Sequence, residues 1–241
     1  MTSDIITPDG LNPTGSTETA DWAELNRQIT TCRLCPRLVE WRESVAVTKR
    51  RAYHDCDYWG KPVPGFGDRR ARLLVVGLAP GAHGSNRTGR MFTGDASGEF
   101  LYAALHRTGF ANQPISTDMH DGLALQGVFI TAVARCAPPD NRPLPGEIRN
   151  CRPFLLKEMA LMPHIQGIVA LGQIAFNQIA TIFNDSIPKS VKFSHGALVE
   201  LKDGLPWLLA SYHPSRQNTQ TGRLTQDMFD QIWSTARNYL Q

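Results

Sequence analysis

A short apolar run followed by a long glycine-rich loop is the feature that most limits the folds open to this sequence. Residues 73–77 read LLVVG, and several more glycines follow before an apolar pattern resumes after residue 98. A buried strand that leads through such a loop into a helix is typical of a ligand site at the carboxyl end of a parallel strand. Glycines in that loop let the backbone approach a ligand closely.

The same loop carries a compact set of chemically active side chains, namely His83, Arg87, Arg90, Phe92 and Asp95. This set suits a flat ring flanked by phosphates better than it suits an apolar ligand. The carboxylate has two interpretations. Asp95 can cap the helix that follows, or it can support a positively charged transition state or orient a water molecule.

The rest of the chain repeats the alternation of apolar runs and helical stretches. Further apolar runs lie at residues 128–133, 167–172 and 207–211, and residues 195–201 fit either a strand or a hairpin at a sheet edge. This alternation predicts an α/β fold with parallel strands and both faces of the sheet covered by helices. The first helix is predicted over residues 22–31.

Composition excludes some classes of protein and leaves others open. No apolar run reaches the roughly 18–20 residues of a membrane span, and the N-terminus lacks the features of a secretory signal. We therefore expect a cytoplasmic protein without a membrane partner. Residues 1–20, rich in Thr, Gly, Pro and Asp, are expected to form a disordered tail, and residues 21–241 one domain. The net charge of +3 indicates little by itself.

Four of the five cysteines are spaced as a candidate metal site. Cys32 and Cys35 form a CxxC pair, and Cys136 and Cys151 form a second pair that lies far along the chain. Two separated thiolate pairs can close a tetrahedral site for zinc or an iron–sulfur cluster. Four unrelated buried thiols are the alternative. Cys56 is the odd one out, in a polar and loop-like neighbourhood.

A histidine motif follows the last apolar run. Residues 212–216 read YHPSR, so His213 is expected at the same sheet edge as the glycine-rich loop. The polar stretch after it can grip phosphates or enter a groove of nucleic acid. A mobile surface loop is the alternative for that stretch.

Taken together, these motifs resemble the uracil-DNA glycosylase superfamily, most closely its family 5 or type b enzymes. The resemblance is carried by GLAPGAHGSNRTGRMFTGDASG at residues 77–98, RCAPPDNRPLPGEIRNCRPFL at 135–155, SYHPSRQNTQTGRLT at 211–225 and CRLCPRL at 32–38. It implies a three-layer α/β/α fold with a central four-stranded parallel sheet. It also implies a [4Fe–4S] cluster on Cys32, Cys35, Cys136 and Cys151, where spacing alone leaves zinc open.

The resemblance further implies base excision from double-stranded DNA by a monomer. A damaged base is flipped out of the duplex, and its N-glycosidic bond is hydrolysed to leave an abasic site. Phe92 would stack on the flipped ring, His213 would donate a hydrogen bond to the departing base, and Asp95 would position water or stabilise the cationic sugar. The implied base-binding residues are Gly77, Ala79, Gly81, Phe92 and Asn141. The implied DNA-binding residues are Arg87, Arg90, Ser215, Arg216, Gln217, Asn218 and Arg223.

Two departures from the superfamily pattern shape these expectations. The positions after Pro80 hold no carboxylate, so the water-activating residue is unassigned: Asp95 is the first candidate, and Asn86 and His83 are its rivals. The second apolar run reads ITAV at residues 130–133, without the asparagine that many relatives use to read uracil. We therefore expect a broad base range that includes uracil and hypoxanthine and extends to hydroxymethyluracil or ethenocytosine.

A second class of function remains open at this point. A non-catalytic iron–sulfur or zinc protein that binds nucleic acid would keep the cysteines and arginines, but it would not need Asp95 or His213. A zinc-dependent phosphoesterase would need a set of His and Asp ligands that the sequence does not assemble. A monofunctional glycosylase is the leading interpretation, because no amine nucleophile is evident.

Overall fold

The computed structural model describes residues 13–184, 186–188, 190–202 and 204–241. The α-helices of this part are α1 (Pro13–Thr30), α2 (Pro36–Thr48), α3 (Ser85–Thr88), α4 (Ala96–Arg107), α5 (Pro145–Ala160), α6 (Gln173–Ile182), α7 (Arg216–Gln220) and α8 (Gln226–Tyr239). The strands are β1 (Phe66–Gly67), β2 (Leu73–Gly77), β3 (Val128–Ala132), β4 (Gly167–Leu171), β5 (Leu198–Val199) and β6 (Trp207–Ser211). Short 3₁₀ turns lie at Arg51–Tyr53 and Pro139–Asn141.

These strands form one mixed sheet in the order β1-β3-β2-β4-β6-β5. The central four, β3, β2, β4 and β6, are parallel and correspond to the four predicted apolar runs. The α/β class is therefore confirmed, but the sheet has six strands rather than four. The two additional strands, β1 and β5, are two residues long and pair antiparallel at the edges. Such short edge strands limit the pairing of this sheet with another chain.

Helices cover both faces of the sheet because successive strand residues point to opposite sides. In β2, Leu73 and Val75 join a core that α4 and α8 complete. Leu74 and Val76 join a second core that α1, α5 and α6 complete. The three-layer α/β/α arrangement follows from this alternation.

The N-terminal region differs from its prediction. Helix α1 begins at Pro13, nine residues before the expected start at Trp22. The division into a disordered tail and one domain stays a prediction. Residues 1–12 of the expected tail lie outside the described residues. Trp22 is buried with its ring centroid 5.1 Å from that of Phe129 on β3, which anchors α1 to the sheet.

The parallel order places four carboxyl ends at one edge of the sheet. Gly77 of β2 lies beside Ala132 of β3, and Leu171 of β4 lies beside Ser211 of β6. The glycine-rich loop after β2 and the histidine motif after β6 therefore start at the same edge, separated by β4.

Candidate active site and cysteine pocket

Phe92 and His213 meet at this edge. Their ring centroids are 5.8 Å apart and their planes differ by 30°, which is the geometry of a contacting aromatic pair. Gly172, at the end of the intervening strand, packs beside His213, since a Cβ built on it would lie 3.4 Å from that of His213. The structure therefore brings the two rings together at one sheet edge, as the parallel order of the strands predicts. Because the rings of Phe92 and His213 are already in contact, the ring of a ligand can stack on Phe92 only in two ways. Either the two side chains move apart, or His213 contacts the edge of the ligand ring and not its face.

The position of Phe92 is fixed by its backbone and by two glycines. Its φ angle is +53°, an uncommon value for a residue with a side chain. A Cβ on Gly77 would lie 2.8 Å from two atoms of the Phe92 ring, and a Cβ on Gly98 would overlap the Phe92 carbonyl oxygen. The neighbouring Met91 carbonyl accepts a hydrogen bond from the Tyr102 hydroxyl at 2.7 Å. Strain of this kind is retained where surrounding structure imposes it, commonly at ligand sites.

Asp95 caps α4, as the first of its two interpretations predicts, and its catalytic interpretation stays a prediction. Its Oδ1 accepts hydrogen bonds from the backbone N–H groups of Ser97 (3.1 Å) and Gly98 (3.0 Å), which caps α4. Its Oδ2 faces the glycine-rich loop, where a Cβ on Gly81 would lie 2.8 Å away and one on Gly84 would overlap it. Burial raises the pKa of the Asp95 carboxyl, and the two capping N–H groups oppose that rise.

His213 is held through its backbone while its ring stays available. Burial lowers the pKa of His213 to about 4, so the imidazole is neutral at neutral pH. The His213 carbonyl accepts a hydrogen bond from Asn218 Nδ2 at 2.9 Å, and Ser215 caps the short helix α7 that carries Asn218. Neither ring nitrogen has a hydrogen-bond partner among the described residues, so a neutral N–H is free to donate to a ligand.

One contact of this motif has no sequence signal. The backbone N–H of Tyr212 donates to Nδ1 of His195 at 3.1 Å, and the two rings stack with centroids 5.1 Å apart. Burial lowers the pKa of His195, which favours the neutral form that this acceptor role requires. Nothing in the order of residues connects His195 to the histidine motif, because β5 and β6 bring them together.

The two loop arginines hold the loop itself. Arg87 donates to the carbonyl oxygens of His83 (2.9 Å) and Gly94 (3.0 Å). Arg90 is only 4% exposed and makes a two-pronged ion pair with Asp121 at 2.8 and 2.6 Å. A buried, paired guanidinium cannot reach a phosphate, so the assignment of Arg90 to DNA binding is wrong. The role proposed for Arg87 stays a prediction.

The remaining predicted contacts differ in exposure. Arg216 and Gln217 on α7 are exposed, and Arg223 is exposed above the Tyr212 ring at 4.7 Å. Asn141 is exposed at the end of a 3₁₀ turn with a φ of +55°. Ala79, like Gly81, is half-buried in the loop after β2. Their predicted ligand contacts stay predictions.

The rivals of Asp95 are occupied by structural contacts. Asn86 is fully buried and donates to the carbonyl oxygens of Arg42 (3.2 Å) and Ala82 (3.4 Å). Nδ1 of His83 lies 3.0 Å from the Tyr58 hydroxyl, and burial together with nearby arginines lowers the pKa of His83. The geometry favours Asp95 over both.

The four paired cysteines line one pocket. They come from the α1–α2 connection, the loop after β3 and helix α5, and Cys56 is not among the lining residues. Among the described residues, no group of three or more His, Cys, Asp or Glu lies close enough together to hold a metal ion. Four thiols around one pocket are the ligand set that zinc and iron–sulfur clusters share, so the cofactor on these cysteines stays a prediction.

Polar groups around this pocket also fit an anionic sulfur-containing group. Nη1 of Arg42 donates to Sγ of Cys136 at 2.9 Å, and Nδ2 of Asn150 donates to Sγ of Cys35 at 3.4 Å. Buried guanidinium N–H groups of Arg42 and Arg135 have no hydrogen-bond partner within the described part of the chain. The donor set therefore suits a thiolate-bound cluster.

Comparisons with known proteins show the family of this chain. A family model described as "Uracil DNA glycosylase superfamily" matches residues 64–237. Proteins named type-5 uracil-DNA glycosylase are similar to this chain. The one from Mycobacterium tuberculosis is 54% identical over 89% of this chain and 80% of its own length. The one from Thermus thermophilus is 54% identical over 87% and 94%, and the one from Pyrobaculum aerophilum is 43% identical over 87% and 89%.

More distant relatives cover less of the chain. A type-4 uracil-DNA glycosylase from Archaeoglobus fulgidus is 34% identical over 51% of this chain and 54% of its own length. In the part of the chain that the structure describes, no helix combines the length and the apolar character that crossing a membrane requires.

Proposed function

The chain belongs to the uracil-DNA glycosylase superfamily, and from that premise we propose that it is a broad-range, monofunctional glycosylase of damaged bases in duplex DNA. The coarse activity follows from the family: it is a DNA-repair enzyme that hydrolyses the N-glycosidic bond of uracil in DNA. We also propose that residues 21–241 act as one domain, that the protein is a monomer and that it works in the cytoplasm.

The observation that carries the proposed chemistry is the contact of Phe92 with His213 at the edge where Asp95 also lies. Cleavage of the glycosidic bond leaves negative charge on the base and positive charge on the sugar. A neutral His213 donates its N–H to the departing base, while the Asp95 carboxylate stabilises the sugar cation or orients the attacking water. Phe92 offers the face on which the flipped base stacks, a contact typically worth about 1–3 kcal/mol.

The strand beside the site supports a wide base range. Thr131 of β3 is buried and donates its hydroxyl to Glu158 at 2.6 Å, and its neighbours Ile130 and Ala132 are apolar. Strand β3 carries no Asn or Gln side chain that could distinguish one base edge from another. Discrimination between bases is weakest where a site makes no hydrogen bonds to the groups in which the bases differ. We propose that uracil and hypoxanthine are both removed, with hydroxymethyluracil and ethenocytosine as further substrates.

Exposed polar residues after the histidine motif supply the contacts to DNA in this proposal. Arg216, Gln217 and Arg223 lie on the chain segment directly after His213, where they can meet phosphates next to a flipped nucleotide. Ser215 and Asn218 act from within the segment, by capping α7 and by holding the His213 carbonyl. The three long motifs contain no lysine, so we propose hydrolysis without a strand-cleaving lyase step.

A [4Fe–4S] cluster is the proposed cofactor, held by Cys32, Cys35, Cys136 and Cys151. The shared pocket and its unpaired N–H donors support it. When bound, such a cluster cross-links its ligand segments and can exchange one electron. In this protein it would join the α1–α2 connection to α5 and to the loop after β3.

The test is excision from defined duplexes. The purified protein is incubated with DNA that contains one uracil, one hypoxanthine or no damaged base, and abasic sites are then cleaved with alkali. We expect strand breaks in both damaged duplexes and a loss of at least about 100-fold in rate for His213→Gln. His106→Ala, which alters an exposed histidine at the far end of α4, is the matched control.

Two results would contradict the proposal. Breaks that form at the same rate in His213→Gln and in the control remove the role of His213. Tight binding of damaged duplexes without any breaks favours the non-catalytic binding protein instead.

A further inference from the structure

Two arginines lie with their guanidinium groups buried beside the cysteine pocket. Arg42, on α2, is 2% exposed, and Arg135, immediately before Cys136, is 1% exposed. Both line the pocket that the four cysteines share. Fully buried arginines are rare unless their charge and their N–H groups are satisfied.

The N–H groups of these arginines are only partly satisfied by the protein. Nη1 of Arg42 donates to Sγ of Cys136, and both of its terminal nitrogens lie 3.4 Å from the Cys32 carbonyl oxygen, but Nε has no partner among the described residues. Nη2 of Arg135 donates to Glu158 Oε2 at 2.6 Å, whereas its Nε and Nη1 are also unpartnered there. Three buried cationic donors therefore have no acceptor in the described protein, although each unmet donor is costly.

The charges point the same way. Arg135 is compensated by the fully buried Glu158. The carboxylate that pairs with Arg42 is Glu43, at 3.5 Å, and it is half-buried and shared with Arg33. Four thiolates around an iron–sulfur core leave a net charge of about −2, so a bound cluster would supply both the acceptor sulfurs and the negative charge that Arg42 lacks.

We propose that Arg42 and Arg135 support the cluster by donating hydrogen bonds to its sulfur atoms, and that the positive charge of Arg42 favours the electron-rich state. This inference rests on the proposed cofactor. Partners of this kind orient metal ligands, and their loss typically costs about 10–100-fold in metal affinity. Hydrogen bonds to sulfur and net charge are among the factors that set a cluster's reduction potential.

The test compares Arg42→Gln, Arg42→Lys and Arg37→Gln with the parent protein. Each protein is purified with the iron that it acquired during expression. Arg37 is the matched control, because it lies on the same helix but pairs with Glu147 at 2.8 Å and does not line the pocket. Iron release to a chelator is followed by absorbance, and reduction potential is measured by voltammetry. We expect release about tenfold faster or more for Arg42→Gln, with a lower potential.

Arg42→Lys separates the charge from the hydrogen bonds. It keeps the cation but loses the planar set of donors, so we expect a potential closer to the parent and iron release faster than in the Arg37→Gln control. If Arg42→Gln does not fold, the comparison of Arg42→Lys with Arg37→Gln decides alone. Equal iron release in those two proteins overturns the role of Arg42 and leaves the cofactor in place. A parent protein without iron and acid-labile sulfide overturns the cofactor and this inference together.

Discussion

Replacement of Asp95 by asparagine should separate the two functions of that side chain. Oδ1 caps α4 through two backbone N–H groups, and Oδ2 faces the glycine-rich loop without a hydrogen-bond partner among the described residues. An asparagine keeps an oxygen for the cap but removes the charge. An alanine removes both.

The two variants should differ in stability. Loss of a helix cap costs about 1 kcal/mol, which lowers the Tm by roughly 2–4 °C in a domain of this size. Asp95→Ala should show that loss. Asp95→Asn should stay within about 0.5 kcal/mol of the parent, because the cap is retained and a carboxylate that burial disfavours is removed.

Both variants should lose excision activity to a similar extent. A carboxylate about 4 Å from a sugar cation contributes ~4 kcal/mol at an effective dielectric constant near 20. Some of this is offset by solvent at a half-buried site, so we expect a loss of about 2–4 kcal/mol, or roughly 30–1000-fold in rate. The assay is single-turnover excision of uracil with enzyme in excess, alongside thermal unfolding.

The pH profile gives an independent check. Because burial raises the pKa of Asp95, the active carboxylate is lost at a higher pH than the ordinary aspartate value of 3.8 as the solution is acidified. The low-pH limb of the parent's rate profile should therefore lie above that value and be absent in Asp95→Asn. The reasoning is refuted if Asp95→Asn excises uracil within about threefold of the parent rate.

Three further predictions concern Gly77, His213 and Asn218. Gly77→Ala should slow excision, because its Cβ would lie 2.8 Å from the Phe92 ring, and should lower the free energy of unfolding by about 1–3 kcal/mol through overpacking. In the Phe92→Ala background the same substitution should no longer lower the free energy of unfolding, and additive effects of the two substitutions would contradict the contact. Burial lowers the pKa of His213 to about 4 from the ordinary 6.5, so on acidification this histidine takes up a proton in the unfolded chain before it does so in the folded protein. The free energy of unfolding, measured with urea, should therefore fall as the pH drops from 6.5 towards 4. The fall should be smaller in His213→Gln, and an equal fall in both proteins would contradict the burial of His213. Asn218→Ala removes the donor to the His213 carbonyl and should slow single-turnover excision about 3–10-fold, the equivalent of one hydrogen bond, with little change in DNA affinity; a loss of affinity at unchanged rate would instead make Asn218 a DNA contact.

The elements that the sequence predicts best are those whose signal is local. Residues 73–77 and 207–211 are continuous apolar runs next to turn residues, and they form β2 and β6 with the expected bounds. The parallel-sheet rule then predicts that Phe92 and His213 lie at one edge of the sheet. Short elements held by tertiary contacts were not predicted, such as α3, whose Asn86 donates to a carbonyl 44 residues away.

The error at Arg90 comes from a partner that is distant in sequence. Arg87 and Arg90 look alike as loop arginines, but only Arg90 finds Asp121, which lies 31 residues further along in a connection without a clear pattern. Asn218 is half-buried and donates to the His213 carbonyl, while its predicted contact with DNA stays a prediction. A pattern of residue types cannot tell a solvated polar group from one that is already paired.

The burial of Trp22 against Phe129 has a practical consequence for how the protein can be shortened. The family match begins at residue 64, so a fragment cut at that boundary would discard α1, α2 and two of the four pocket cysteines. The apolar surface of Phe129 and its neighbours on one face of the sheet would then meet water. Such a fragment should aggregate even though it retains Phe92, Asp95 and His213, and the smallest piece able to fold must begin upstream of Trp22.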